Sequence, residues 1–139
     1  SNIIGIKEAV DTEERINDLI SISSDNHNFQ LFSGDEPSFI KMIKKGGDGV
    51  ISVAANVVPG KISQICKLIE EKKYDEAVSI DSTLSNLYEL LFVESNPIPV
   101  KWMLFKMNLI KNSIRLPLEE LDKIYQEDIT NEMLKLKLI

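Results

Sequence analysis

The chain has 139 residues, 43% of them hydrophobic and 27% charged. These values suit one globular domain and exclude a disordered tail, a collagen-like repeat or a coiled-coil rod. Lys and Arg number 16 against 22 Asp and Glu, a net charge of −6. That balance argues against a phosphate-binding surface, because nucleic-acid affinity rests mainly on cationic contacts.

Ile3 to Ile6 are apolar or Gly without alternation, the pattern of a strand buried on both faces, as in a parallel sheet. Asp11-Thr12-Glu13-Glu14 is a helix start. Asp11 or Thr12 caps free amides, and the glutamates sit at the positive end of the dipole. Ile16, Leu19 and Ile20 continue this helix into the polar cluster 23–28. His27 stands alone there, with no second His and no Cys near it, and reads as a solvated loop residue rather than a metal ligand. Phe29-Gln30-Leu31-Phe32 predicts a second strand, and Ser33-Gly34-Asp35 the turn after it. The next helix takes Pro37 in its first turn, has Phe39, Ile40 and Ile43 on its apolar side, and ends at Lys44-Lys45-Gly46. Gly46-Gly47-Asp48-Gly49 lacks the Gly-Lys-Ser/Thr end of a phosphate loop and precedes a strand, so it is a turn. Residues 49–55 read as the third strand.

Beyond it the spacing is helical only. Ile62, Ile65, Cys66 and Ile69 line one helix. Tyr74, Ala77, Val78, Leu84, Leu87, Leu90 and Leu91 suit one longer helix. Pro97 and Pro99 hold 96–99 extended. Trp102, Leu104, Phe105, Leu109 and Ile110 mark another helix, Leu116-Pro117-Leu118 a break, and 119–139 a final helix pair. The order predicts parallel strands joined by helices, with no linker long enough to divide the chain. No apolar run approaches the ~18 residues that cross a bilayer, and the amino terminus lacks the pattern of a secretion signal. The single Cys66 cannot form an internal disulfide, which fits a reducing compartment.

In parallel α/β folds, functional groups gather at the carboxyl ends of the strands. Lys7, Ser33-Gly34-Asp35 and residues 52–56 fall there. A lysine closing an apolar strand faces desolvation, which disfavours the ammonium and frees a neutral amine to attack a carbonyl. On spacing alone, the commoner outcome is a lysine that reaches out to water. Ser33-Gly34-Asp35 is either a polar rim around a substrate or a turn whose Asp35 caps the next helix. Cys66 sits on an apolar face and packs. Trp102 belongs to a core or an interface.

Five stretches recur together in one known family: Gly5-Ile6-Lys7-Glu8-Ala9; Ser33-Gly34-Asp35; residues 46–56; Phe92-Val93-Glu94-Ser95-Asn96-Pro97-Ile98-Pro99-Val100-Lys101-Trp102; and Arg115-Leu116-Pro117-Leu118. In this order the chain resembles the 4-hydroxy-tetrahydrodipicolinate synthases (dihydrodipicolinate synthases) of the pyruvate-dependent class I aldolase superfamily, from residue 1 to about 118. The resemblance implies fold class α/β and the carboxyl-terminal part of a TIM (β/α)8 barrel, strands 6–8 and the C-terminal helices. Residues 1–60 would be the last three β/α units, and 61–139 the closing helix and C-terminal helical region. Such a barrel takes ~250 residues, so five strands are expected upstream, and Ser1 in place of Met fits that expectation.

The resemblance also implies roles. Lys7 would form a Schiff base with pyruvate, and the enamine would attack L-aspartate 4-semialdehyde before the product cyclises, a step of lysine biosynthesis. The backbone at Ile51 would help hold pyruvate, while Gly34, Asp35 and Asn96 would lie by the second substrate. The missing half would bring the proton-relay tyrosine and threonines and a carboxylate-binding arginine. No cofactor, metal, nucleic acid or membrane is implied; a cytoplasmic homo-oligomer, dimer or tetramer, is. Two departures stand out. Val10-Asp11 replace a small or hydroxyl residue followed by Gly, and Glu13 and Glu14 replace less charged residues near a subunit contact. Two alternatives remain: an N-acetylneuraminate or keto-deoxy-sugar-acid lyase of the same superfamily, and a non-catalytic half-barrel that acts by association, since three parallel strands leave edges and an apolar face open.

Overall fold

A computed structural model describes residues 2–24 and 28–139; His27 lies outside them. Three strands, β1 (Gly5–Glu8), β2 (Gln30–Ser33) and β3 (Gly49–Val50), alternate with helices α1 (Glu13–Ser24) and α2 (Phe39–Lys44). Five helices follow: α3 (Pro59–Glu70), α4 (Tyr74–Ser82), α5 (Ser85–Leu90), α6 (Ile98–Lys106) and α7 (Lys123–Lys135). The strands form one parallel sheet in the order β1-β2-β3. Its register sets Lys7 level with Phe32, and Phe32 level with Gly49.

Side chains alternate across a strand, so this register sorts the sheet into two faces. Ile6, Leu31 and Val50 share one face, and Leu31 is buried there with Ile16, Leu19 and Met42 from α1 and α2. Lys7, Phe32 and Gly49 share the other, which no helix among the described residues covers. The expectation of burial on both faces is therefore corrected: Ile3 and Ile4, outside β1, are 68% and 67% exposed. Lys7 is exposed, the commoner outcome for a lysine at a strand end. β1 and β3 each have a single neighbour among the described residues.

The main core lies behind the sheet, between α3 and the helices after it. Phe39, Ile65, Leu84, Leu87, Leu91 and Met103 are fully buried in it. Burial of such side chains contributes about 1.5–3 kcal/mol each.

Local chemistry moves several boundaries. β3 stops at Val50 rather than at residue 55. Ile51 N–H still donates to the Ser33 carbonyl at 2.8 Å, but the amides of Val53 and Ala54 donate to the Glu36 carboxylate at 2.5 and 3.0 Å. The chain then turns into a 3-10 segment, Ala54–Asn56. Pro37 precedes α2 instead of entering it, and Asp35 Oδ2 accepts from Ser38 N–H at 3.0 Å, closing that turn. The Gly-rich stretch is a turn as expected: Gly46 takes a positive φ of 115°, and Asp48 Oδ2 accepts from Leu31 N–H at 2.7 Å as β3 begins.

The expected long helix is two helices, α4 and α5. The hydroxyls of Ser82, Thr83 and Ser85 donate to the carbonyls of Ser79, Ile80 and Ser82, competing with the helical ladder. Pro97 and Pro99 do not hold an extended segment; α6 begins at Ile98 with Pro99 as its second residue, where a missing N–H costs nothing. Leu109 and Ile110 fall beyond its end and are 63% and 39% exposed. The final pair is a single helix, α7, capped by Asp122, whose Oδ1 accepts from Ile124 N–H at 3.0 Å.

Candidate functional site

Lys7 is the third residue of β1 and stands on the uncovered face of the sheet, at its carboxyl end. Its aliphatic stem runs across Gly34. A Cβ built on Gly34 would lie 2.2 Å from Lys7 Cε and 3.1 Å from Lys7 Cγ. Gly34 is in turn tied to β1, because its N–H donates to the Glu8 carbonyl at 2.7 Å. The turn after β2 is thus the bed on which the lysine rests.

Lys7 opens into a cleft of about 320 Å³, with Ile51, Asn56, Asn96 and Lys101 also on its wall. Ile51 enters from the end of β3, Asn96 from the turn before α6, and Lys101 from α6 itself. Among the described residues no acidic side chain lines this cleft, while two lysines do. A primary amine for a carbonyl carbon, in a cationic hollow, suits a keto acid: the amine meets the carbonyl and the surplus positive charge favours the carboxylate. Sequence reasoning missed Lys101 as a wall residue. Its presence in the Asn-Pro-Ile-Pro-Val-Lys stretch, five residues past Asn96, was the available signal.

Four of the five expected positions therefore meet: Lys7, Gly34, Ile51 and Asn96. Asp35 does not share this wall. It lines a neighbouring cleft of about 440 Å³ with Asp81, Tyr88, Glu89 and Phe92. In that cleft Tyr88 O–H donates to Asp81 Oδ1 at 2.7 Å. Burial, reinforced by this bond, pushes the Tyr88 phenol far above its ordinary value, and burial also raises Asp81. Tyr88 stays protonated at neutral pH and is no base.

On the helix-facing side, Glu8 braces the exit from β1. Its Oε1 accepts from the amides of Ala9 and Val10 at 2.8 and 3.0 Å, and its Oε2 accepts from Arg15 Nε at 2.6 Å. The Arg15 bond, with help from the two amides, holds the carboxyl below the usual glutamate value. Cys66 is half-buried on α3, where burial pushes its thiol up and away from the reactive thiolate. Among the described residues no group of three or more His, Cys, Asp and Glu is placed to hold a metal, and no helix is long and apolar enough to cross a membrane.

The model of the Dihydrodipicolinate synthetase family matches residues 1–136. The chain belongs to this family. It is 44% identical over 124 residues to the 4-hydroxy-tetrahydrodipicolinate synthase of Saccharophagus degradans, covering 89% of this chain and 42% of that protein. To the synthase of Psychromonas ingrahamii it is 41% identical over 139 residues, covering 99% and 47%. Among solved structures, the chloride-inhibited dihydrodipicolinate synthase of Acinetobacter baumannii, complexed with pyruvate, superposes with a TM-score of 0.91 at 38% identity, covering 99% of this chain and 47% of that one. The dihydrodipicolinate synthase of Thermotoga maritima gives 0.95 at 33% identity, with coverages of 99% and 47%. The chain spans about half the length of these relatives, and its three-stranded sheet with its helices is the carboxyl-terminal part of the family's TIM barrel.

Proposed function

We propose that this chain is the carboxyl-terminal half of a 4-hydroxy-tetrahydrodipicolinate synthase and carries its Schiff-base lysine. The Lys7 amine adds to the keto carbon of pyruvate and water leaves, giving an iminium. Loss of a methyl proton gives the enamine, whose carbon attacks the aldehyde carbon of L-aspartate 4-semialdehyde. The amino group of that second substrate then displaces Lys7 as the ring closes. Ile51 and Asn96 border the reacting centre, Gly34 supports the lysine stem, and Asp35 stands in the adjoining cleft. Proton relays and the remaining carboxylate contacts come from the preceding five β/α units, and the assembled enzyme is a homo-oligomer.

The observation that carries this reading is the placement of Lys7: an exposed amine at the carboxyl end of a parallel strand, in a cleft with Ile51 and Asn96. Relatives at 41–44% identity bear the synthase name, which favours it over a sugar-acid lyase. Treating the whole enzyme with pyruvate and borohydride, then digesting it, should leave a stable reduced adduct on the Lys7 peptide. An adduct elsewhere, or none, overturns the proposal.

A further inference from the structure

Glu36 is the buried acid this chemistry does not use. It is 1% exposed. It lies in the turn after β2, two residues past the Gly34 that supports Lys7. Its Oε1 accepts two backbone amides from across the sheet, Val53 at 2.5 Å and Ala54 at 3.0 Å. Its Oε2 is buried with no hydrogen-bond partner among the described residues, and so is Ser38 Oγ in the same turn. A buried carboxylate oxygen without a partner costs stability. Keeping one here is intelligible if Oε1 performs a task that a smaller or apolar residue could not. That task is visible in the ladder: after Ile51 N–H donates to Ser33, Glu36 takes over the next available amides and bends the chain away from the strand direction. The bend leaves Ile51, Ser52, Val53 and Asn56 along the wall of the Lys7 cleft.

We propose that Glu36 is a positioning residue that fixes the Ile51–Ala54 backbone against Lys7 and thereby sets the fit of the keto acid. The inference rests on the synthase reading above. One turn then serves two purposes, with Gly34 bedding the amine and Glu36 holding the opposite wall. What matters is the reach of the side chain as an acceptor, rather than its charge, because Oε1 meets neutral amides.

Two conservative variants of the whole enzyme separate reach from charge. Glu36→Gln keeps the length and an acceptor oxygen but loses the charge; Glu36→Asp keeps the charge but is one methylene short. Displacing a wall of the site weakens productive binding steeply. Glu36→Asp should therefore raise KM for pyruvate about tenfold with kcat changed less than about threefold, and slow borohydride trapping on Lys7 at low pyruvate. Glu36→Gln should keep KM within about threefold of the parent even if its Tm falls. Glu132→Gln serves as the control, since Glu132 is also buried but joins Asn86 of α5 to Lys135 of α7, away from the cleft. It should lower Tm and leave KM alone. The proposal is overturned if Glu36→Asp matches the parent in KM, if Glu36→Gln is the more damaging of the two, or if Glu132→Gln raises KM equally. Absence of any adduct on Lys7 in the parent enzyme would instead remove the synthase reading itself.

Discussion

Lys7 gains its position from a glycine it does not touch in sequence. The turn residue Gly34 leaves open the space that the Lys7 stem occupies, and a methyl group there would lie 2.2 Å from Lys7 Cε. The obstacle to an alanine is the far end of a flexible side chain, so the fold should survive while the amine is pushed aside. Gly34→Ala in the whole enzyme is expected to keep Tm within a few degrees, yet lower kcat/KM by about a hundredfold, the scale of an ångström-sized misplacement. Steady-state kinetics beside a thermal melt reads both. Before the structure, the triplet Ser33-Gly34-Asp35 supported either a substrate rim or a helix-capping turn. The turn is what the structure displays: Asp35 Oδ2 accepts from Ser38 N–H, and Gly34 lies beneath the Lys7 stem.

At the scale of the element, β1 and α1 are joined by Glu8, whose carboxylate holds two amides of the connecting turn and the side chain of Arg15. Arg15, then the amides, depress the Glu8 pKa from the usual 4.5. A carboxyl depressed in the folded state contributes stability that is complete above its unfolded value and fades as pH falls through the folded one. The stability gap between the parent and Glu8→Gln should thus be constant near neutrality and shrink below about pH 4.5, as urea titrations at stepped pH would measure. A gap that widens on acidification would contradict this linkage. Element boundaries were the least legible part of the sequence. Apolar spacing identified α3 and its buried Ile62, Ile65 and Ile69. The same spacing ran α4 and α5 together, because it cannot register three hydroxyls bonding back to carbonyls. Proline chemistry likewise predicted an extended 96–99, whereas α6 starts at Ile98 and packs Ile98, Val100 and Trp102 into the core.

For the molecule as a whole, the uncovered sheet face dominates. Ile51, just past β3, is 52% exposed, and Ile3 and Ile4, just before β1, are 68% and 67% exposed; the outer strands of the sheet each have one neighbour among the described residues. Strand edges and apolar faces of this kind recruit further chains. The 139-residue chain alone is expected to sediment as self-associated species and to show no synthase turnover. Supplying the preceding five β/α units in trans should convert part of it to a smaller, active particle. Sedimentation velocity with a coupled assay tests both, and turnover by a monomeric chain would refute the expectation.

The residue string by itself determined the family and the strand–helix alternation and singled out Lys7 as a candidate, because those reside in local order: motif spacing, apolar periodicity and turn chemistry. Tertiary structure alone decided that Lys7 shares a cleft with Ile51 and Asn96, that Asp35 lines a different cleft, and that Glu36 accepts the amides of Val53 and Ala54. Each of these depends on which distant segments come together across the sheet, and a spacing rule carries no information about groups that meet only after the chain has folded.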